Sequence, residues 1–290
     1  MKWAGGKTQL LPSLMDIMRP ALEGKYKITY VEPFVGSGAV LFEVLKMYPQ
    51  TVSKVIINDI NTDLVNVWKI VRDNPEELIA QLQRLRAEYI KLGDEERKEY
   101  FLEIRKVFNQ RAESVVMQAS HLIFLNKTCF NGLYRVNRKN EFNVPHGRYS
   151  KPTVFDEEAI RATAQLLQRV EIYNDDFKQL LQYAGKAKDV LWYFDPPYRP
   201  LSKSSSFNAY SADAFDDAEQ IRLKDLCDEI HRQGQKFVLS NSDPKNIRPG
   251  DDFFDELFSN YTINRVQARR SIKYIGGKRG QLSELIIRNF

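Results

Sequence analysis

The chain has 290 residues, of which 43% are hydrophobic; that suffices for one large domain or for a core domain carrying a smaller insertion. Its net charge of +5 is mild. No apolar run reaches the roughly 20 residues needed to span a bilayer and no signal peptide is recognisable, which excludes a membrane-spanning helix and points to a cytoplasmic protein. Cys129 and Cys227 are far apart, and His121, His146 and His231 are scattered. This spacing gives neither a disulfide framework nor a zinc pattern, and no metal is expected.

In chain order, Lys2-Trp3-Ala4-Gly5-Gly6-Lys7 comes first, with a helix predicted to begin near Thr8. Residues 28–32 form a β-prone run, Gly36 and Gly38 follow, and Val40, Leu41, Val44 and Leu45 then recur at helical spacing. Residues 55–59 form a second β-prone run. Strand, glycine turn, helix and strand at this spacing predict a right-handed βαβ unit in a parallel sheet. Residues 63–127 change character, being rich in Leu, Glu, Arg and Gln at helical periodicity, and predict three or four helices. Residues 128–152 interleave glycine, asparagine and basic residues with aromatics, and 137–140 are placed to turn a hairpin. The α/β rhythm returns with candidate strands at 170–173, 190–194, 237–240 and 285–288 and a helix at 216–233. Residues 199–213, rich in serine, read as a mobile loop. The simplest organisation is a catalytic α/β domain formed by 1–63 and 158–290, interrupted by a mainly helical domain at 64–157 that carries the hairpin.

Asp195-Pro196-Pro197-Tyr198 directly follows the apolar strand 190–194. In open parallel sheets, ligands bind beyond the carboxyl ends of strands. Two prolines fix the backbone and remove two donors, leaving carbonyls to face a ligand. Asp195 adds an acceptor and Tyr198 a flat stacking face. This set suits an amino group on an aromatic ring. If Asp195 and the Pro196 carbonyl accept both N–H groups, the nitrogen can pyramidalise and its lone pair becomes available. Glu32-Pro33-Phe34-Val35-Gly36-Ser37-Gly38 occupies the first strand-to-helix turn, where glycines allow close approach of a ligand. Asp59 ends the next strand and can bind ribose hydroxyls. A nicotinamide dinucleotide would share these features, but its third glycine is replaced by Leu41. Lys7 can bind a carboxylate, which a sulfonium amino acid carries and a dinucleotide lacks.

Cations cluster in two places. Residues 131–151 hold Arg135, Arg138, Lys139, Arg148 and Lys151 against Glu141, and 265–279 hold Arg265, Arg269, Arg270, Lys273, Lys278 and Arg279 with no acid. Such clusters suit a phosphate backbone, and equally a solvated basic face.

Lys-Trp-Ala-Gly-Gly-Lys, Glu-Pro-Phe-Val-Gly-Ser-Gly, Asn-Asp-Ile-Asn, Asn-Gly-Leu-Tyr-Arg, Glu-Phe-Asn-Val-Pro-His-Gly-Arg-Tyr, Asp-Pro-Pro-Tyr and Arg-Arg-Ser-Ile occur in that order. Together they resemble the Dam-type (D12 class) DNA adenine-N6 methyltransferases over nearly the whole chain. The resemblance implies a Rossmann-like class I methyltransferase sheet with an inserted target-recognition domain, acting on double-stranded DNA with S-adenosyl-L-methionine as donor. It implies that Trp3, Lys7, Phe34 and Asp59 contact that cofactor, with Gly36 and Gly38 in its turn. It assigns Asp176 and Phe177 to the cofactor's adenine, and Asp195 to Tyr198 to a target adenine flipped from the duplex, where its amine would otherwise be out of reach. Arg135 matches an arginine that reads guanine, Tyr149 the aromatic that braces the gap, and Lys2, Asn131, Leu133 and Pro145 other base contacts. Arg269, Arg270, Lys278 and Arg279 are expected on DNA as well. Agreement with GATC-specific members predicts that site, and a restriction endonuclease acting on the same site is a possible partner. Met1 directly precedes Lys-Trp where family members carry further residues, suggesting a trimmed start. Tyr134 and His146 depart from the family pattern beside recognition residues. The alternatives are methylation of another nucleic acid and an inactive DNA-binding relative; intact Asp195 to Tyr198 and Lys7 weigh against the latter.

Overall fold

The computed structural model describes Lys7 and residues 9–185, 189–199, 215–269 and 281–290. The chain divides into two compact units. Of the described residues, one unit holds those of 7–58, 175–199 and 215–290; the other holds Asp59–Asn174. Seven strands are present among the described residues: β1 (Ile28–Glu32), β2 (Val52–Asn58), β3 (Val170–Tyr173), β4 (Val190–Phe194), β5 (Lys236–Ser242), β6 (Thr262–Arg269) and β7 (Gln281–Arg288). Their sheet order is β3-β2-β1-β4-β5-β7-β6.

In the first unit, β1 runs parallel to both β2 and β4, with Tyr30 opposite Val55 on one side and Leu191 on the other. β5 runs parallel to β4, and β7 lies antiparallel between β5 and β6. All five residues of β4 are buried, as are Phe237 to Leu239 of β5 and Leu285 to Ile287 of β7. Near-continuous apolar runs of this kind belong to strands covered on both faces. Helices α1 (Leu11–Leu22) and α2 (Ala39–Met47) flank β1 in sequence.

The second unit holds α3 (Thr62–Asp73), α4 (Pro75–Tyr89), α5 (Asp94–Gln110), α6 (Val115–Thr128) and α7 (Glu157–Leu167), together with β3. Three of these helices start where a side chain supplies a partner for an otherwise orphaned backbone N–H group. The Asn61 side chain accepts from Leu64 N, Ser114 from Met117 N and Asp156 from Ala159 N, while Pro75 opens α4. α6 is buried nearly all round, including Leu122, Phe124 and Leu125, and forms the axis of this unit's core with Phe101 and Phe108 of α5. Back in the first unit follow α8 (Leu180–Ala184), α9 (Asp217–Arg232) and α10 (Phe253–Leu257). No described helix is long and apolar enough to cross a membrane.

The α/β arrangement, with β2, β1, β4 and β5 parallel, agrees with the sequence reading, and the four helices α3 to α6 meet the expectation of three or four. Three details differ. α1 begins at Leu11 rather than near Thr8, with Pro12 in its first turn, where a missing N–H costs nothing. β6 was not expected, and β7 starts four residues before Leu285. The turn at 137–140 closes only one isolated bridge, Val136 to Phe142, with Asn140 in the left-handed region at φ 59°. The serine-rich residues 200–213 lie outside the described residues.

Candidate active site

The Asp195-Pro196-Pro197-Tyr198 segment leaves the carboxyl end of β4, as its sequence context requires. The Asp195 carboxylate is fixed on two sides. Lys7 Nζ stands 3.0 Å from Oδ1 and Ser240 Oγ on β5 donates to the same oxygen at 3.3 Å. Lys7 also donates to the Tyr198 hydroxyl, and that hydroxyl in turn donates to Glu284 Oε2 at 2.9 Å. A single buried ammonium therefore joins Asp195, Tyr198 and Glu284. Tyr198 keeps 39% of its surface exposed, with its hydroxyl engaged and the Lys7 ammonium 4.4 Å from its ring centroid. Among the described residues no donor bonds the Pro196 carbonyl, while the Pro197 carbonyl accepts from buried Gln220 at 3.3 Å. Of the two carbonyls that the prolines leave for a ligand, one is thus already used.

Electrostatics follow from this crowding. Burial raises the Asp195 pKa above the ordinary carboxylate range, and the Lys7 ammonium opposes that rise. Burial alone would discharge Lys7; Asp195, Tyr198 and Glu284 outweigh it and hold its pKa above the usual lysine value. Glu32 at the end of β1 is 2% exposed and accepts from the Tyr30 hydroxyl at 2.8 Å. Burial drives its carboxyl well up, and the nearby Asp195 charge adds to that.

Beyond β1, Gly36 and Gly38 adopt φ of 48° and 74°, a left-handed geometry that costs glycine nothing. The Phe34 ring packs at 5.4 Å from Phe177 and 5.6 Å from Phe215. Asp176 is held by Arg222 through both carboxylate oxygens, at 2.7 and 2.8 Å, and the same guanidinium lies 4.8 Å over the Phe177 ring. Phe34, Gly36, Gly38, Asp176, Phe177 and the Asp195 segment all lie in the unit that contains β4.

The other unit contains Asp59 and the residues matched to base reading. The Asp59 carboxylate accepts from Asn61 N at 2.9 Å. Asn131 and Leu133 are exposed, as is Pro145, whose carbonyl accepts from Phe130 N at 2.8 Å. Arg135 is half-buried and bonded to Asn143, through Oδ1 at 2.7 Å and the carbonyl at 3.2 Å. Tyr149 packs against Gly147, where an added Cβ would collide with its ring and lie 2.6 Å from the Cys129 carbonyl. Tyr134 is 1% exposed with its hydroxyl on Asp63, and the His146 ring bonds the Tyr89 hydroxyl at 2.6 Å. Both departures from the family pattern are engaged in internal bonds.

Lys2, Trp3, Arg270, Lys278 and Arg279 lie outside the described residues, and Arg269 is described only as the last residue of β6. Arg265, counted above with the basic cluster, is committed to Asp243 and Asp255 at 2.9 and 2.8 Å. Glu284, Ser240 and Arg222 have no place in the sequence reading of the site, and Glu32 enters it only as part of the first strand-to-helix turn.

A mixed sheet of order 3-2-1-4-5-7-6, with the Glu32 and Asp195 carboxylates at the carboxyl ends of β1 and β4, has the architecture of a class I methyltransferase-type protein. The model of the family "D12 class N6 adenine-specific DNA methyltransferase" matches residues 3–272, and the chain belongs to that family: it is an adenine-specific DNA methyltransferase. It is 44% identical over its whole length to the type II methyltransferase M.MjaIII of Methanocaldococcus jannaschii, covering 98% of that protein. It is 36% identical over its whole length to the type II methyltransferase M1.LlaDCHI of Lactococcus lactis subsp. cremoris, covering 94% of it. Over 99% of its length it is 32% identical to the DNA adenine methylase of Escherichia coli K12, covering 93% of it.

Proposed function

We propose that the protein transfers a methyl group from S-adenosyl-L-methionine to the exocyclic amine of an adenine flipped out of duplex DNA, within GATC. The observation that carries this reading is the Asp195 carboxylate, oriented by Lys7 and Ser240 at the end of β4 beside the partly exposed Tyr198. Asp195 and the Pro196 carbonyl accept the two amine N–H groups, and Tyr198 stacks on the base. Lys7 keeps Asp195 anionic, so that it remains an acceptor in a site whose burial favours the neutral acid. The amine loses one proton per turnover, and Asp195 is the group placed to receive it on the way to solvent.

The residues suit the sulfonium donor. Asp195 and Glu284 crowd one ammonium, a donor set with affinity for positive charge, and the left-handed turn at Gly36 and Gly38 allows backbone to approach a ligand. When bound, S-adenosyl-L-methionine supplies an activated methyl group, and the reading requires no metal. Phe34, Gly36, Gly38, Asp59, Asp176 and Phe177 would hold it, with Trp3 and Lys7 toward its methionine end. Lys7 is here paired with the protein's own carboxylates, so binding the donor's carboxylate would require it to share that charge.

Residues 64–157 are assigned to target recognition, and 1–63 with 158–290 to catalysis. Arg135 reads a guanine, Tyr149 braces the vacated stack, Asn131, Leu133, Pro145 and Lys2 contact bases, and Arg269, Arg270, Lys278 and Arg279 meet DNA. Two relatives bear the name type II methyltransferase, which supports a restriction endonuclease of the same specificity as a partner. A substrate in duplex DNA supports a cytoplasmic, nucleoid-associated location. The test is transfer of labelled methyl from S-adenosyl-L-methionine to duplexes with and without GATC. Labelling confined to GATC adenine is expected; labelling that ignores the site would overturn the specificity, and none at all would leave a DNA-binding relative without catalysis.

A further inference from the structure

Glu284 lies outside every motif that points to the chemistry. β7 runs antiparallel to β5, and Glu284 stands opposite Ser242, the last residue of β5. The antiparallel strand therefore begins where its parallel neighbours end. Its third intervening residue, Ser283, binds Asp243, and Glu284 turns the other way, as strand alternation demands. There Oε2 accepts from the Tyr198 hydroxyl at 2.9 Å and stands 3.7 Å from the Lys7 ammonium. Only 17% of the side chain is exposed.

We propose that Glu284 is a positioning residue for methyl transfer, acting through Tyr198 and Lys7. Tyr198 sits on a segment past the end of β4 and is partly exposed. A ring held only by its own Cα–Cβ bond samples several rotamers, and ordering it when the base arrives opposes binding and alignment. With the hydroxyl fixed between the Lys7 donor and the Glu284 acceptor, the ring plane is set beforehand. Glu284 also divides the Lys7 charge between itself and Asp195, so the ammonium is not drawn wholly to the carboxylate that meets the amine. The proposal rests on the reading of Tyr198 as the stacking face for the target adenine.

The experiment is a double-mutant cycle on the full chain, with kcat measured at saturating S-adenosyl-L-methionine and GATC duplex for wild type, E284A, Y198F and the double variant. E284A is expected to lower kcat by about 10- to 100-fold with little change in KM or Tm. In the Y198F background, where the hydroxyl is already missing, the same change should cost only about two- to threefold more. E284Q, which keeps an oxygen acceptor, should recover a large part of the loss. Equal fold-losses in both backgrounds, or a loss that tracks a fall in Tm, would overturn the proposal in favour of a role confined to β7. If E284A does not fold, E284D, with a reach shorter by one methylene, takes its place in the cycle. Y198A separates the two readings: full activity in that variant sinks the stacking role itself, whereas an inactive Y198A with an unimpaired E284A sinks only the proposal for Glu284.

Discussion

Lys7 Nζ and Asp195 Oδ1 stand 3.0 Å apart, and each sets the charge of the other. Burial favours the neutral form of both; the pairing holds the lysine's pKa above its usual value and opposes the rise in the aspartate's. Lysine comes from the start of the chain and aspartate from the end of β4, so neither local sequence explains the pairing.

Lys7→Met removes the charge and keeps most of the volume. On the proposed mechanism activity needs ionised Asp195 and falls as pH drops through its folded pKa, which burial has raised and Lys7 has partly brought down. Without the ammonium that pKa rises further, so the acidic limb of the kcat profile should move to higher pH. Activity at neutral pH should fall, and part of it should return as the pH is raised. A profile that drops evenly at every pH would show that Lys7 serves only donor binding.

Arg222 is the outer wall of the segment assigned to the cofactor's adenine. Its guanidinium donates to both carboxylate oxygens of Asp176 and covers the Phe177 ring. Such a partly exposed pair adds little to stability, about 0–1 kcal/mol. Its effect should lie in preorganisation. Arg222→Ala is expected to raise KM for S-adenosyl-L-methionine several-fold with kcat at saturation and Tm nearly unchanged. An unaltered KM would remove Asp176 and Phe177 from the binding site.

The placement of the site's segments at strand ends is legible in the sequence because it depends on short-range order: an apolar strand, then residues whose backbone or charge suits a ligand. Asp195 to Tyr198 after β4 and Gly36 to Gly38 after β1 are of this kind. β6 was not legible. At the edge of the sheet it has one neighbour, and edge strands carry charges that blunt further pairing. Arg265 and Arg269 therefore read as a basic run, although Arg265 is tied to Asp243 and Asp255. Glu284 was hidden for a topological reason. Within 285–288 and its approach it is one polar residue of a strand, and only the reversal of β7 brings it to the end of the sheet where Tyr198 lies.

Arg135 is already shaped by its own unit. Asn143 bonds its Nε and NH2 groups, leaving the remaining guanidinium edge to meet a base. Arg135→Ala should cost roughly 1–3 kcal/mol of discrimination at one guanine, the worth of a bidentate contact. Asn143→Ala removes the side-chain half of the brace and should relax discrimination at that same base pair, by less, while affinity for non-specific duplex holds. The measurement is kcat/KM on GATC duplexes substituted at each position. Equal losses on cognate and altered sites would make Arg135 a phosphate contact.

Gly147 ties the chain between His146 and Tyr149 to the end of α6. Its N–H donates to the Thr128 carbonyl at 2.8 Å, and the adjacent Cys129 and His146 form an antiparallel bridge. A Cβ at this position would lie 2.6 Å from the Cys129 carbonyl and 2.8 Å from that of Thr128, besides striking the Tyr149 ring. The two carbonyls are backbone and cannot rotate aside, so the strand must lift and the ring must move with it. Gly147→Ala should destabilise by about 1–3 kcal/mol, as overpacking does. For a chain of this size that lowers Tm by roughly 2–4 °C per kcal/mol. The larger effect should fall on the brace. With 2-aminopurine at the target position and the protein held well below its Tm, the fluorescence rise that reports an unstacked base should shrink, while binding of S-adenosyl-L-methionine stays at the wild-type level. A full fluorescence rise in Gly147→Ala would mean that the placement of Tyr149 does not govern flipping, and that the tight packing at Gly147 serves only the fold.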